Sequence, residues 1–227
     1  EPQDGSLAFR DIVHQYCKGH PWARFGIDLC IGSEADQPIT QRQMMFAPFY
    51  LMDAFDGAQI KGDSIQRPLI TANELVVDAT PEPDESDWMP TPLQCSLLLF
   101  ILTAAATIYG IRRRTGLWGI DLFLFGIAGI VGCVLAFLAL FSQHPAVSSN
   151  FLLLVFHPGQ LLFLPYIIYC VRKGKKCWYL TLNLAVLTLF IVLFPVIPQR
   201  FDFAVVPLAL VLLIRSASNL IVTSKKK

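Results

Sequence analysis

The sequence predicts an all-α membrane fold of five transmembrane helices, preceded by the C-terminal fragment of a mixed α+β domain outside the bilayer. Three observations predict it. Charged residues make up 15% of the 227, against roughly 25% in a typical soluble domain, while hydrophobic residues reach 54% and the mean hydropathy is +0.53. The charge is divided: residues 1–91 hold 15 of the 17 acids and 6 of the 18 bases, a net of −9, and residues 92–227 carry a net of +10. Finally, the long apolar runs all lie in the second part. Such a composition excludes a disordered chain, a collagen or a coiled-coil rod, and argues against an ordinary soluble enzyme. The overall +1 is a cancellation between two parts in two environments.

The membrane part, residues 92–222, reads as five spans. Residues 92–111 (PLQCSLLLFILTAAATIYGI) form an uncharged run of 20, long enough as a helix to cross a ~30 Å hydrocarbon layer. Residues 119–141 follow, with Asp121 near the start. Residues 150–171 are interrupted by Pro158 and Pro165, and the stretch before Pro158 reads equally as a separate half-helix. Residues 177–197 and 203–222 complete the set, the last holding Arg215 and Asn219. Proline is tolerated in such segments where neighbours satisfy the freed carbonyls. Arg215 is a second candidate for a functional polar group at membrane depth; the favoured reading is that it snorkels to the inner face along its own stem.

The connections give the orientation. Arg112–Arg114 follow the first run, Arg172, Lys173, Lys175 and Lys176 the third, and the tail Lys225–Lys227 the fifth. The alternate connections, 142–149 and 198–202, carry only Arg200. By the positive-inside rule the basic loops and the tail, residues 223–227, are cytoplasmic, and residues 1–91 face outward. Trp118 and Trp178 fall at the inner boundary, where aromatic belts are expected.

The outer part, residues 1–79, carries weaker signals. Residues 6–18 put Leu7, Phe9, Ile12, Val13 and Tyr16 at helical spacing, and Gly19-His20-Pro21 ends that helix. Residues 22–32 are a short apolar stretch bounded by glycine. Thr40 and Gln43 fit a capping box opening a helical stretch to about Ala58, bent at Pro48. Residues 68–79, with Leu75, Val76 and Val77, read as a strand. Residues 80–91 are a Pro-rich acidic linker. The polar start, residues 1–10, has no signal-peptide pattern although an outward segment needs export. The sequence therefore reads as the C-terminal piece of a longer protein.

Candidate functional residues are few. No metal-ligand spacing, nucleophile elbow or phosphate-binding glycine loop occurs, and no cofactor is implied. Cys95, Cys133, Cys170 and Cys177 lie in or at the ends of the spans and read as packing residues. Cys17 and Cys30 lie on the outer face, where a disulfide between them is a candidate; either is alternatively a reactive thiol, and a Cys17–His14 dyad is the least favoured reading. The 142–158 stretch brings His144, Asn150 and His157 to the outer membrane face. One reading is interfacial helix capping by Ser149 or Asn150. The other is a polar group set that positions a lipid headgroup or acyl ester. The basic clusters flank spans, so topology accounts for them without nucleic acid.

Residues 9–55 carry a family resemblance. HPWARFGIDL (residues 20–29), GSEAD (32–36) and MFAPFYLMDAF (45–55) resemble the later part of the Lnb-type periplasmic domain, and the downstream half is similar to the five-helix transmembrane domain that follows it in that family. The resemblance implies a multi-pass inner-membrane protein of diderm bacteria, with a periplasmic N-terminal segment and a cytoplasmic C-terminus. It also implies lipoprotein N-acylation: an acyl group passes from a phospholipid to the α-amine of a lipoprotein, through a thiol expected upstream of these residues. Membrane lipids, the phospholipid donor and the lipoprotein acceptor are the implied partners. No catalytic residue is carried over to this chain, and Cys17 and Cys30 do not occupy the family's nucleophile position. Two other functions remain open: a membrane-anchored periplasmic thiol hydrolase or peptidase, and a non-catalytic envelope interaction protein.

Overall fold

The computed structural model describes residues 7–62, 66–77 and 89–224; most of the acidic linker and the Lys225–Lys227 tail lie outside the described residues. The outer segment opens with α1 (Phe9–Tyr16), where the helical spacing predicted one. Pro21 starts α2 (Pro21–Cys30) at its first turn, where a missing N–H costs nothing. A 3₁₀ turn, Ser33–Asp36, follows. The Thr40–Gln43 capping box forms as expected: Gln43 N–H donates to Thr40 Oγ1 at 3.3 Å, and Thr40 N–H to Gln43 Oε1 at 2.9 Å. It opens only one turn, α3 (Gln41–Met44), because Pro48 starts a separate helix, α4 (Pro48–Asp56).

The strand expected over residues 68–79 is corrected. Two short strands, β1 (Gln59–Lys61) and β2 (Gln66–Pro68), pair antiparallel with Ile60 opposite Arg67, and β2 ends where the expected strand began. Residues 69–77 are irregular, with Leu75, Val76 and Val77 exposed; residues 78–79 lie outside the described residues. Apolar β-formers become a strand only when a neighbouring strand takes their hydrogen bonds, and among the described residues none pairs with 69–77.

A second capping box, Thr91 with Gln94, starts α5 (Pro92–Arg113), again with proline at the first turn. Next come α6 (Trp118–Phe141), the broken third run, α9 (Trp178–Leu193) and α10 (Val205–Ser224). The third run is not one helix. A 3₁₀ turn, Phe151–Leu154, precedes Pro158, then α7 (Gly159–Leu162) and α8 (Leu164–Lys173). Pro158 and Pro165 each lack an N–H for an i−4 carbonyl, which breaks the ladder at the two points. α8 and α9 meet at 111°. Among the described residues three helices are long and apolar enough to cross a membrane, α5, α6 and α10, or four if the α8–α9 pair is counted as one bent span. The structure thus shows three or four of the five expected spans: the third run is broken at its prolines, and the fourth, α9, is a helix of 16 residues.

The bundle core is one apolar cluster that includes Phe125, Leu135, Leu152, Ile167, Leu187 and Phe190. α10 lies at its centre, packed along α5 and α9, while α6 packs on α7 and α8. Small residues permit the close approach: a Cβ on Gly132 would stand 2.5 Å from the His157 backbone, and one on Gly129 2.5 Å from Leu161 N. The outer segment has only a small cluster of its own, Ile12, Ile39, Met44 and Ala47. It supplements this by laying Phe25 and Leu29 of α2 against the bundle cluster.

Candidate functional site

The polar groups of the outer segment converge on the two outer loops of the bundle. α1 carries Arg10 inward, and its side chain is 1% exposed. The guanidinium needs matching acceptors at that depth, and it has them. Nη1 donates to Asp28 Oδ1 at 2.7 Å, Nε to Asp36 Oδ1 at 2.7 Å, and Nη2 to Asp36 Oδ2 at 3.1 Å and to the Gly32 carbonyl at 3.2 Å. Asp28 also faces His14 Nε2 at 2.8 Å and Arg24 Nε at 3.8 Å.

The α9–α10 loop adds a second guanidinium to the same group. Arg200 Nε donates to Asp36 Oδ1 at 2.8 Å, its Nη1 to Asp11 Oδ1 at 2.6 Å, and its backbone N–H to Asp36 Oδ2 at 2.9 Å. The Arg200 hydrogen bond is the main reason the Asp11 carboxyl sits below its ordinary value. Burial alone would raise Asp36, but the donors from Arg10 and Arg200 outweigh it and hold it low. A cleft of about 690 Å³ lies between these groups and the aromatic side of the loop, Phe194, Phe201 and Phe203.

The α6–α7 connection makes the other half of the joint. Gly32 N–H donates to the Ala146 carbonyl at 2.8 Å, and Ser33 donates to the Ser149 carbonyl through both its N–H, at 3.3 Å, and its Oγ, at 3.2 Å. Ser149 is held at φ 51°, a left-handed conformation that these bonds fix. A Cβ on Gly32 would collide with the Ser148 carbonyl oxygen, so only glycine lets the two backbones come this close. Trp22 completes the attachment from α2, donating Nε1–H to the Pro90 carbonyl at 2.9 Å, just before α5.

The three residues singled out by sequence, His144, Asn150 and His157, separate into three environments. Asn150, 5% exposed, is the hub. Its Oδ1 accepts from Leu152 N–H at 3.0 Å, capping the 3₁₀ turn, and from Gln199 Nε2 at 3.2 Å, while its Nδ2 donates to the Leu29 carbonyl at 2.8 Å. One side chain thus both caps the turn and ties it to α2 and Gln199. His144 is exposed and uses Nδ1 to accept from Ala146 N–H at 3.2 Å, which is capping alone. His157 turns into the bundle, 3.3 Å from Asn183 Oδ1 through Nε2, with the Tyr179 hydroxyl 3.5 Å from Nδ1. Asn183 passes the chain of contacts to Ser216 Oγ at 3.0 Å.

Cys17 and Cys30 are free thiols, so the candidate disulfide is not formed. Burial pushes both thiols up, with the Asp28 charge adding to the effect at Cys17. His14 is engaged by Asp28, and at Cys17 the Arg24 charge is outweighed by burial and Asp28.

Arg215 does not snorkel. It is 3% exposed, and donates Nε to Asp121 Oδ1 at 2.7 Å, Nη2 to Asp121 Oδ2 at 3.0 Å and Nη1 to Thr107 Oγ1 at 3.0 Å. The pair clamps α5, α6 and α10 together, near the C-terminal end of α5 and the start of α6. Sequence reading placed both charges but did not join them, nor did it find the Arg10–Asp28–Asp36 set. One signal was available in each case. Asp121 and Arg215 are the one acid and the one base inside the five runs, and Arg200 is the lone base in the outer loops.

Neither a curated protein nor a solved structure matches the chain. A family does: residues 84–227, well over half of the chain, match the family described as the Lnb transmembrane domain. Together with the apolar helices that carry the match, this shows that the chain belongs to the Lnb transmembrane domain family and is the membrane part of an Lnb-type multi-pass protein.

Proposed function

We propose that this chain is the membrane-embedded part of a lipoprotein N-acyltransferase, which moves an acyl group from a phospholipid to the α-amine of a lipoprotein. The observation that carries the reading is the joint itself. Asn150, Gln199 and Arg200 of the outer loops bond Leu29, Ile31 and Asp36 of the outer segment, so the two parts form one body at the bilayer surface. A transfer between two lipid-anchored substrates needs the outer domain held at a fixed height over the membrane. A hydrolase or peptidase that used the bundle as a tether would need no such joint.

In this reading the bundle crosses the inner membrane five times, with the broken third run counted as a crossing, the outer segment in the periplasm and the C-terminus in the cytoplasm. Basic residues follow the first, third and fifth runs, and the one outer-loop base, Arg200, is neutralised by Asp36 and Asp11. His14, Cys17 and Cys30 are not assigned the thiol chemistry, which belongs to the part of the Lnb-type periplasmic domain that precedes the matched motifs.

The test uses the full-length protein and reads lipoprotein N-acylation from the mass of the N-terminal lipopeptide. Asn150→Ala lowers acylation strongly, and His144→Ala leaves it intact. Replacing the bundle with one unrelated membrane helix abolishes it. Acylation that survives that replacement would overturn the proposal in favour of a replaceable anchor.

A further inference from the structure

The two basic connections of the bundle, residues 112–114 and 172–176, hold seven bases, all of them exposed. Residues 92–227 contain two acids, Asp121 and Asp202, and neither serves those bases. Asp121 is taken by Arg215. Asp202 precedes the start of α10, whereas it is Asn219, near the other end of α10, that meets the Lys175 carbonyl. Among the described residues no ion pair joins any of the seven to a carboxylate. Three of them rest on aromatic rings. The Arg172 guanidinium stands 5.1 Å from the centre of the Trp118 ring of α6, and the Arg113 guanidinium 5.8 Å from that of Tyr109. Lys175 Nζ lies 5.1 Å from the centre of the Tyr169 ring and donates to its hydroxyl at 2.9 Å. A ring face orients a cation and leaves its charge uncancelled.

Beside these cations one face of α8 has a matching shape. Pro165, Ile168, Tyr169, Arg172 and Lys173 recur at helical spacing and line a groove of about 520 Å³. Ile167, Cys170 and Val171 turn the opposite face of α8 into the core. From Pro165 to Lys173 the groove follows roughly 12 Å of helix at ~1.5 Å per residue. It begins apolar and ends in two cations, at the point where the chain leaves the helix for the basic loop. We propose that this face of α8 binds one anionic phospholipid, its phosphate on Arg172 and Lys173 and an acyl chain along Ile168 and Pro165. Charge complementarity selects the headgroup, since the protein supplies no carboxylate for these bases and a leaflet of anionic lipid does. Trp118 holds the Arg172 guanidinium in place while its N–H groups stay available for paired hydrogen bonds to phosphate. The positive-inside rule asks only for basic loops; it does not call for bases set on rings beside an apolar groove.

The site lies at the Arg113 end of α5, and the outer segment is attached at the other end, where Trp22 meets Pro90. The lipid it takes is therefore not the acyl donor, and the inference stands apart from the acyl-transfer reading. A headgroup on Arg172 ties α8 to Trp118 of α6, and the chain beneath it covers the outward side of the run that Pro158 and Pro165 break.

The experiment purifies the whole protein in detergent, adds equal amounts of phosphatidylglycerol and phosphatidylethanolamine, and counts the retained lipids by native mass spectrometry. The expected result is one phosphatidylglycerol held about tenfold more strongly than phosphatidylethanolamine. Arg172→Gln with Lys173→Gln lowers its retention about tenfold. Arg112→Gln with Arg114→Gln removes the same charge from the neighbouring loop and leaves retention unchanged. Ile168→Trp fills the apolar part of the groove without altering charge and also lowers retention, which decides the matter if the α8 charge variant fails to fold. Equal retention of the two lipids, or retention that survives the α8 substitutions, overturns the site. Equal loss in both double variants overturns it as well, in favour of a diffuse basic surface of the kind topology alone requires. Displacement of the lipid by glycerol phosphate, which has the charged group and no acyl chain, overturns the phospholipid as occupant.

Discussion

Arg200 and Asp36 lie 164 residues apart and meet at two points, the guanidinium Nε on Oδ1 at 2.8 Å and the backbone N–H on Oδ2 at 2.9 Å. Arg10 takes the same two oxygens from the other side, at 2.7 and 3.1 Å. One carboxylate thus serves two guanidiniums and one peptide group, and it ties the 3₁₀ turn of the outer segment to the last outer loop of the bundle. In the proposed orientation Arg200 is an exception to the charge rule of membrane topology, and its neutralising partners are Asp36 and Asp11.

That arrangement gives the joint a pH dependence. Asp36 and Asp11 are held below the ordinary 3.8 in the folded chain. A carboxylate of lowered pKa contributes stability above its unfolded value and loses it as the pH falls through the folded one. Amide protection at Gly32 and Ser33, corrected for intrinsic exchange, therefore holds at neutral pH and drops below about pH 4, while protection within α10 persists. Protection at Gly32 and Ser33 that does not change with acid would contradict the role given to Asp36.

Two glycines of the outer segment predict opposite outcomes. At Gly26 of α2 an added Cβ meets nothing within 4 Å, so Gly26→Ala gains helix propensity, up to about 1 kcal/mol. At Gly32 the Cβ runs into the Ser148 carbonyl, and the two backbones must part. Gly32→Ala loses about 1–3 kcal/mol as an overpacked contact and breaks the Gly32–Ala146 hydrogen bond. Thermal melts of the two purified variants in one detergent separate these effects by sign.

The inner clamp is tested by a double substitution. Arg215→Met or Asp121→Leu alone strands a buried charge and costs about 3–5 kcal/mol. The two together remove both charges and recover most of that loss, because a buried ion pair is costly to break but replaceable by apolar packing. Unfolding of the three variants in mixed micelles measures the coupling. A double variant as unstable as the sum of the singles would mean that the pair is not a unit.

Asn150 and His144 differ in what they leave behind. Asn150→Ala orphans the Leu29 carbonyl, the Leu152 N–H and one Gln199 amide contact, and each buried group left unpaired costs about 1–3 kcal/mol. His144→Ala removes one exposed cap, worth about 1 kcal/mol or less. Limited proteolysis of the outer segment distinguishes them: Asn150→Ala opens cleavage between α2 and α3, and His144→Ala does not.

The sequence by itself determined what depends on neighbours along the chain. Apolar runs located the membrane half, proline located the breaks at Pro48 and Pro158, and the Thr40–Gln43 pair located a helix start, because each effect acts within one or two turns. Residues 69–77 show where that reasoning ends: their β-forming side chains were legible, but a strand needs a partner supplied from elsewhere. Only the tertiary structure decided that His144, Asn150 and His157 lie in three different environments, that Arg215 meets Asp121 rather than water, and that Arg10 and Arg200 share Asp36. The ion pairs join residues 26 to 164 positions apart, and a charge buried in a bundle accepts only a partner that the fold brings within hydrogen-bond distance. The lone charges announced that partners were needed; the packing of α10 against α5 and of α2 against α5 and α6, with the loops that join them, chose which ones.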